Sequence, residues 1–258
     1  MSWQPKAEEA AKILHRARYV VALTGAGLSV ESGIPPFRGP GGLWTKYGEP
    51  PLNGFQRFLM DPKKAWEERL HPSGPMRELW ETLAKAEPNP GHYGLVELER
   101  LGVLRCTITQ NVDDLHRRAG SQNLAEIHGN ATLVRCLSCV RRMPLEAVDL
   151  SELPPRCREC GGLLKSDTVS FGEPIPPDVL QRCQAESARA DCMLVVGTSA
   201  TVYPAAGFPL DVHQRGGTLI EVNPYETELT PYCAVVVRAP AGEALPKIVE
   251  ALRQLRGS

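Results

Sequence analysis

Long apolar runs are missing from this chain. No stretch approaches the ~20 consecutive apolar residues that a bilayer-spanning helix needs. The opening MSWQPKAEEAAKIL has no apolar core of the kind a secretory signal carries. A membrane partner is therefore not expected, and a cytoplasmic location is. A strong charge of one sign is missing as well. Lys and Arg number 29 against 30 Asp and Glu, a formal net charge of −1, so no global basic field draws the chain to nucleic acid. Internal repeats and low-complexity tracts are also lacking. What is present is ordinary for a globular protein: 258 residues, 42% apolar and 23% charged, enough to bury a full α/β core with a smaller module attached.

Strand and helix signals alternate along the chain. Residues 6–17 place apolar side chains at helical spacing, and 19–23 read as a first strand. A Pro- and Gly-rich loop is expected over 36–54, including Gly39 and Pro40. Helical pieces broken at Pro62 and around HPSGP follow over 55–86. A helix is expected over 92–101, a buried strand over 103–109, and a helix from near Asp113 to Gly120. The cysteine-bearing stretch 131–168 has little helical pattern. Beyond it, TVSF, CMLVVG, GTLIEVN and AVVVRA read as extended, separated by helical stretches. Such alternation predicts a doubly wound parallel (Rossmann-like) α/β sheet covered on both faces. The expected division is a nucleotide-binding domain of residues 1–35, 87–130 and 169–258, a loop and helical insertion of 36–86, and a zinc-ribbon module of 131–168.

Four of the eight cysteines form two C-x2-C pairs, Cys136/Cys139 and Cys157/Cys160, with 17 residues between the pairs. Each pair aims two thiolates at one ion, and two pairs complete a tetrahedral Zn(2+) site with no open position, so the metal is structural. Cys106, Cys183, Cys192 and Cys233 are scattered and read as small buried hydrophobes. Arg135, Arg141, Arg142, Arg156 and Arg158 crowd the zinc segment and keep a nucleic-acid face open. The acids Glu146, Asp149, Glu152 and Glu159 between them favour a solvated surface.

Polar residues gather where strands end, which is where open parallel sheets bind ligands. Thr24, Gly25, Ala26 and Gly27 close the first strand. Gln110, Asn111 and Asp113 follow another, although Asn111 or Asp113 alone also suits a helix N-cap. His128 precedes Gly129 at a turn, and His is the side chain suited to proton transfer near neutral pH. Gly197, Thr198 and Ser199 form a second glycine turn, and Asn223 with Pro224 a third strand end.

GAGLSVESGIPPFRG at 25–39, TQNVD, HG at 128–129, the cysteine spacing, SFGE at 170–173, GTS at 197–199 and EVNP occur in one order. Together they closely resemble the sirtuins, NAD-dependent protein deacylases, over roughly residues 8–253. The resemblance implies NAD and one structural zinc, a mobile Pro/Gly loop that closes over the cofactor, and an acyl-lysine protein or peptide as partner. It implies that Gly25, Ala26 and Gly27 admit the pyrophosphate, with Ser29, Thr198 and Ser199 adding donors. His128 is then the general base, and Asn111 and Asp113 order the nicotinamide pocket and ribose. Phe37 shields the reacting carbon, and Arg38 orders the loop. Ile34, Trp44, Gln110, Val112 and Gly197 join the cofactor set, and Asn223, Pro224, Tyr225 and Ala241 line the adenosine end. The peptide is expected to add as a strand against Val169, Ser170, Phe171, Gly172 and Glu173, and against Val202.

Sirtuins that prefer acidic acyl groups carry Tyr-x-x-Arg after the cofactor loop. Here Trp66 and Arg69 occur in DPKKAWEERLHPSG without the Tyr, so acetyl or longer neutral acyl groups are expected. A monomer is expected. Mono-ADP-ribosylation and a non-catalytic NAD or zinc module are the alternative functions.

Overall fold

The computed structural model describes residues 2–38 and 41–257; Gly39 and Pro40 of the expected loop lie outside the described residues. The chain runs α1 (Gln4–Arg16), β1 (Val20–Thr24), a 3-10 turn (Ala26–Ser32), α2 (Leu43–Tyr47), α3 (Gly54–Met60), α4 (Pro62–Leu70), α5 (Gly74–Lys85), α6 (Pro90–Arg100), β2 (Leu104–Thr109), α7 (Leu115–Ala119) and β3 (Leu124–Glu126). It continues through β4 (Leu133–Cys136), β5 (Arg142–Pro144), β6 (Leu164–Ser166), α8 (Pro177–Arg189), β7 (Cys192–Val196), α9 (Gly207–Gln214), β8 (Thr218–Val222), β9 (Val235–Val237) and α10 (Ala241–Gly257).

Six strands form one sheet in the order β3-β2-β1-β7-β8-β9, with every neighbouring pair parallel. The order reverses between β1 and β7, the switch point of a doubly wound sheet. Strand periodicity divides the core. Val20 and Ala22 of β1 pack with Leu14, Leu98, Ile248 and Leu252 of α1, α6 and α10. Val21 and Leu23 pack with Cys183, Phe208 and Val212 of α8 and α9. Both faces are covered, so β1 is apolar along its buried length up to Thr24.

A second sheet, β5-β4-β6, is antiparallel, with Cys136 at the end of its central strand. Its apolar face is too small to stand alone. Phe58 of α3 and Trp66 of α4 join Val134, Cys136, Cys157 and Leu164 in one core, and Trp66 Nε1 donates to Leu164 O at 2.8 Å. The two insertions therefore make one lobe.

Several elements differ from the sequence expectations. The loop expected over 36–54 contains α2, whose start is tied back by Leu43 N–H to Pro36 O and Trp44 N–H to Phe37 O, both 2.8 Å. Helix α6 begins at Pro90, two residues earlier, because Asn89 Oδ1 accepts the Gly91 N–H and Pro serves well at a first helical position. Helix α7 begins at Leu115, not Asp113. Asp113 Oδ1 accepts the Leu115 N–H at 3.0 Å, and Asp114 takes a left-handed φ of 66°. TVSF is not a sheet strand: Lys165 Nζ takes Thr168 O and Glu173 takes the Ser170 N–H, which leaves no ladder to join. TSATVYP is likewise a loop. Among the described residues, no helix is long and apolar enough to cross a membrane.

Candidate active site

The carboxyl ends of β1, β2, β3, β7 and β8 open onto one edge of the large sheet. Thr24, at the end of β1, is fully buried and pairs with Thr109 Oγ1 at 2.8 Å and His116 Nε2 at 3.0 Å. Burial pushes His116 down to about 3 and His92, whose ring lies edge-on 5.1 Å away, down to about 4. These two histidines stay neutral and are structural. Sequence reasoning did not single them out, because a helical His looks the same whether it faces water or core.

The first glycine turn is tighter than a phosphate cradle requires. Gly25 and Gly27 N–H groups donate to Val196 O at 3.1 Å and Gly197 O at 2.8 Å. A Cβ on Gly27 would lie 2.7 Å from Gly197 O, and one on Gly197, at φ 58°, would lie 2.4 Å from Leu28 N. Glycine is demanded here by the close approach of two loops at the switch point. The following turn is 3-10 rather than α-helical, and it ends at left-handed Gly33.

A hydrogen-bond chain ties the turn to β2. Asn111 Nδ2 donates to Gly25 O and to Ser29 Oγ, each at 3.1 Å, and Ser29 Oγ donates to Asp113 Oδ2 at 2.6 Å. Desolvation holds the Asp113 carboxyl above the usual carboxylate range, against the pull of the Ser29 hydroxyl and the Leu115 N–H. Gln110 Nε2 bridges to Thr198 Oγ1 at 2.9 Å, and Asn223 Nδ2 donates to Thr198 O at 3.2 Å. The strand ends of β1, β2, β7 and β8 are thus one continuous polar rim.

His128 completes it from β3. Its Nδ1 lies 3.2 Å from Gln110 O, which only accepts, so Nδ1 carries the proton and Nε2 is left with its lone pair. Burial lowers its pKa below the ordinary value of 6.5, against the smaller opposing effect of that hydrogen bond. A neutral imidazole with a free Nε2 is the form a general base needs.

Aromatic contacts join two loops. Phe37, 38% exposed, lies 5.1 Å from Trp44, and Trp44 lies 5.8 Å from Phe171, which links the Pro/Gly loop to the SFGE segment. Arg38 sits 4.4 Å above Trp44 and donates to Thr201 Oγ1 at 3.0 Å. Ile34 is buried beside Ala86 and Leu115, and its N–H donates to Ser29 O at 3.3 Å. Val112 accepts the Ala131 N–H at 2.8 Å. Ser199 is exposed beside buried Thr198, and Pro224 and Tyr225 are exposed after buried Asn223. Ala241 is buried at the first turn of α10. Arg238 was not anticipated: it donates to Glu221, Asn223 O and Tyr225 O and so fixes the β8 loop. An arginine just beyond an edge strand gives no sign of that in sequence.

The four paired cysteines converge. Their sulfurs lie within 4.8 Å of one another, with Cys136–Cys160 at 3.5 Å and Cys139–Cys157 at 3.9 Å. A tetrahedron of ~2.3 Å Zn–S bonds spaces its sulfurs by about 3.8 Å, so the donor set fits Zn(2+). The other four thiols are pushed up to about 12, chiefly by burial, which matches their reading as hydrophobes; Cys233 is only partly covered. The arginines near the zinc segment are not one solvated face. Arg135 is buried against Asp167 and Glu173, Arg142 pairs with Asp167 and Asp178, and Arg141 and Arg158 pair with Glu159 and Asp149. Arg69 donates to Ser166 Oγ and Ala131 O, and Trp66 is core.

Residues 25–204 match the model of the Sir2 family. The chain belongs to the Sir2 family. It is 47% identical to NAD-dependent protein deacylase 1 of Archaeoglobus fulgidus over 249 residues, 96% of this chain and 98% of that one. A Sir2 homolog–NAD complex superposes with a TM-score of 0.79 at 47% identity, covering 96% of this chain and 94% of the other. A complex of Sir2 with a p53 peptide and NAD+ gives a TM-score of 0.76 at 35% identity, covering 94% and 96%. The sheet order, the glycine turn at the switch point and the polar rim make this sirtuin edge fit for a dinucleotide.

Proposed function

We propose that this sirtuin is an NAD-dependent protein-lysine deacylase, with deacetylation as its simplest reaction. One observation carries the reading: His128 Nδ1 is held by Gln110 O, which leaves Nε2 with a free lone pair on an imidazole already in its neutral form. Bound NAD would supply the ADP-ribosyl acceptor: with one water consumed, acyl-lysine and NAD give nicotinamide, free lysine and O-acyl-ADP-ribose.

The chain's own residues divide the remaining work. His128 removes a proton from a ribose hydroxyl. Asn111, Ser29 and Asp113 form the hydrogen-bonded chain that orients the nicotinamide end. Gly25, Ala26, Gly27, Thr198 and Ser199 border the diphosphate, and Asn223 with the loop held by Arg238 borders the adenosine. Phe37, stacked on Trp44, shields the reacting carbon from water, and Arg38 holds the loop. Val169 to Glu173, with Val202, receive the acyl-lysine peptide through backbone groups in loops, not through a preformed sheet edge. The four thiolates hold Zn(2+) away from the chemistry.

The test follows the mass of an acetyl-lysine peptide with and without NAD. NAD-dependent loss of the acetyl group, matched by nicotinamide release, is expected. Nicotinamide release from NAD with the peptide unchanged would replace this reading with ADP-ribosyl transfer. No turnover of any acyl series by the zinc-loaded protein would leave a binding role.

A further inference from the structure

A buried cluster of charged side chains joins the two lobes, and none of these side chains has a part in the chemistry above. Arg135 of β4 and Lys165 of β6 stand opposite each other in the small sheet. Their side chains are only 6% and 5% exposed, and the carboxylates of Asp167 and Glu173 only 2%. Arg135 Nε donates to Asp167 Oδ1 at 3.1 Å and its Nη2 to Glu173 Oε1 at 2.6 Å. Lys165 Nζ lies 2.9 Å from Glu173 Oε2, and Arg142 Nε donates to Asp167 Oδ1 at 2.9 Å.

Each carboxylate also grips something outside the cluster. Asp167 Oδ2 accepts the Asn130 N–H at 3.2 Å, two residues beyond His128. Asp167 O packs so closely under Gly129, at φ 74°, that a Cβ there would lie 2.0 Å from it. Glu173 Oε2 accepts the Ser170 N–H at 2.9 Å, and Val169 N–H donates to His128 O at 2.8 Å. On the other side, Arg135 directly precedes Cys136, and Cys136 pairs with Leu164 beside Lys165. Both cations therefore hang from strands next to the thiolate site.

We infer that Asp167 and Glu173 are positioning residues with separate duties: Glu173 sets the acyl-peptide segment, and Asp167 sets the turn that carries His128. The inference rests on the deacylase reading and deepens it. Burial makes the arrangement stiff, because a buried ion pair that loses one partner leaves an uncompensated charge. The zinc module then does more than hold itself together: its strand register is passed to the base and to the substrate segment through fixed ion pairs.

Steady-state kinetics on an acetyl-lysine peptide, with peptide and NAD varied separately, test this. Lys165→Met combined with Glu173→Gln removes one cation and one anion and keeps the charge balanced. It is expected to raise the peptide KM roughly 10-fold while kcat and the NAD KM stay within about twofold and Tm stays near wild type. Glu173→Asp keeps the charge but shortens the reach to Ser170, and it should raise the peptide KM in the same direction. Arg142→Gln combined with Asp167→Asn should lower kcat roughly 10-fold and leave the peptide KM within about twofold. An unchanged peptide KM in both Glu173 variants overturns the inference. So does a common shift of all constants that tracks Tm. A wild-type protein without NAD-dependent deacetylation overturns the deacylase reading itself, whereas an active wild type with unmoved variants overturns only the positioning roles.

Discussion

The two lobes are held together by different forces. The large lobe sandwiches a six-stranded parallel sheet between two apolar layers, and strands such as β1 and β7 are buried along their whole length. The small lobe has three short strands, a core of Phe58, Trp66, Val134 and Leu164, a thiolate quartet and several ion pairs. A large sheet is stabilised by area, whereas a small one needs staples. The polar rim of Gln110, Asn111 and Thr198 lies on the edge of the large sheet, whereas residues 169–173 form a loop tied down by polar contacts at a few points.

Metal removal tests this contrast most severely. Structural zinc sites contribute about 10–16 kcal/mol in small domains. Chelation is expected to abolish amide-exchange protection in β4, β5 and β6 and to leave it in β1, β2 and β7. Loss of protection in both sheets at once would show that the lobes fold as one unit. Next in size is the base. His128→Ala should lower kcat by ~10²–10⁴-fold. Tm should hardly move, since the side chain makes a single hydrogen bond. Unchanged turnover would remove His128 from the chemistry. Leu23→Ala, in the fully buried β1, should cost about 2–5 kcal/mol in denaturant unfolding. Trp66→Phe gives up its bond to Leu164 O and leaves a small cavity where the indole was buried, together about 1–3 kcal/mol, and should loosen the small lobe alone.

Acid sharpens the comparison further. In the unfolded chain, His92 and His116 take up protons below pH 6.5, while in the folded protein they stay neutral down to about 4 and about 3. The unfolded state then binds more protons, so stability falls as the pH drops from 6.5 towards 4. The slope approaches about 1.4 kcal/mol per pH unit for each histidine. His92→Gln should flatten part of that slope in Tm measured against pH. Activity has a separate limit: with the His128 pKa lowered, the acid limb of kcat/KM should lie below 6.5.

Much of this was legible beforehand because it is local. A C-x2-C pair carries its geometry in its spacing, and a β-favouring run closed by a glycine turn reads as a strand reaching a site. The misreadings arose where a side chain from elsewhere settles the backbone. Asp113 restarts α7 two residues late. Lys165 and Glu173 claim the polar groups that would have made TVSF a strand. At Gly27 the reason for glycine is tertiary: a Cβ there would meet Gly197 across the switch point.

By itself the sequence determined the doubly wound sheet and the metal quartet, since periodicity and short spacing act over a few neighbours. Tertiary structure alone decided which tautomer His128 holds, which histidines are silent, and where Arg135 and Lys165 spend their charge. Those outcomes depend on burial and on partners that lie 18, 38 or 92 residues away along the chain for His128, Arg135 and His116. A buried charge or ring nitrogen takes its state from whatever the fold brings within about 3 Å of it.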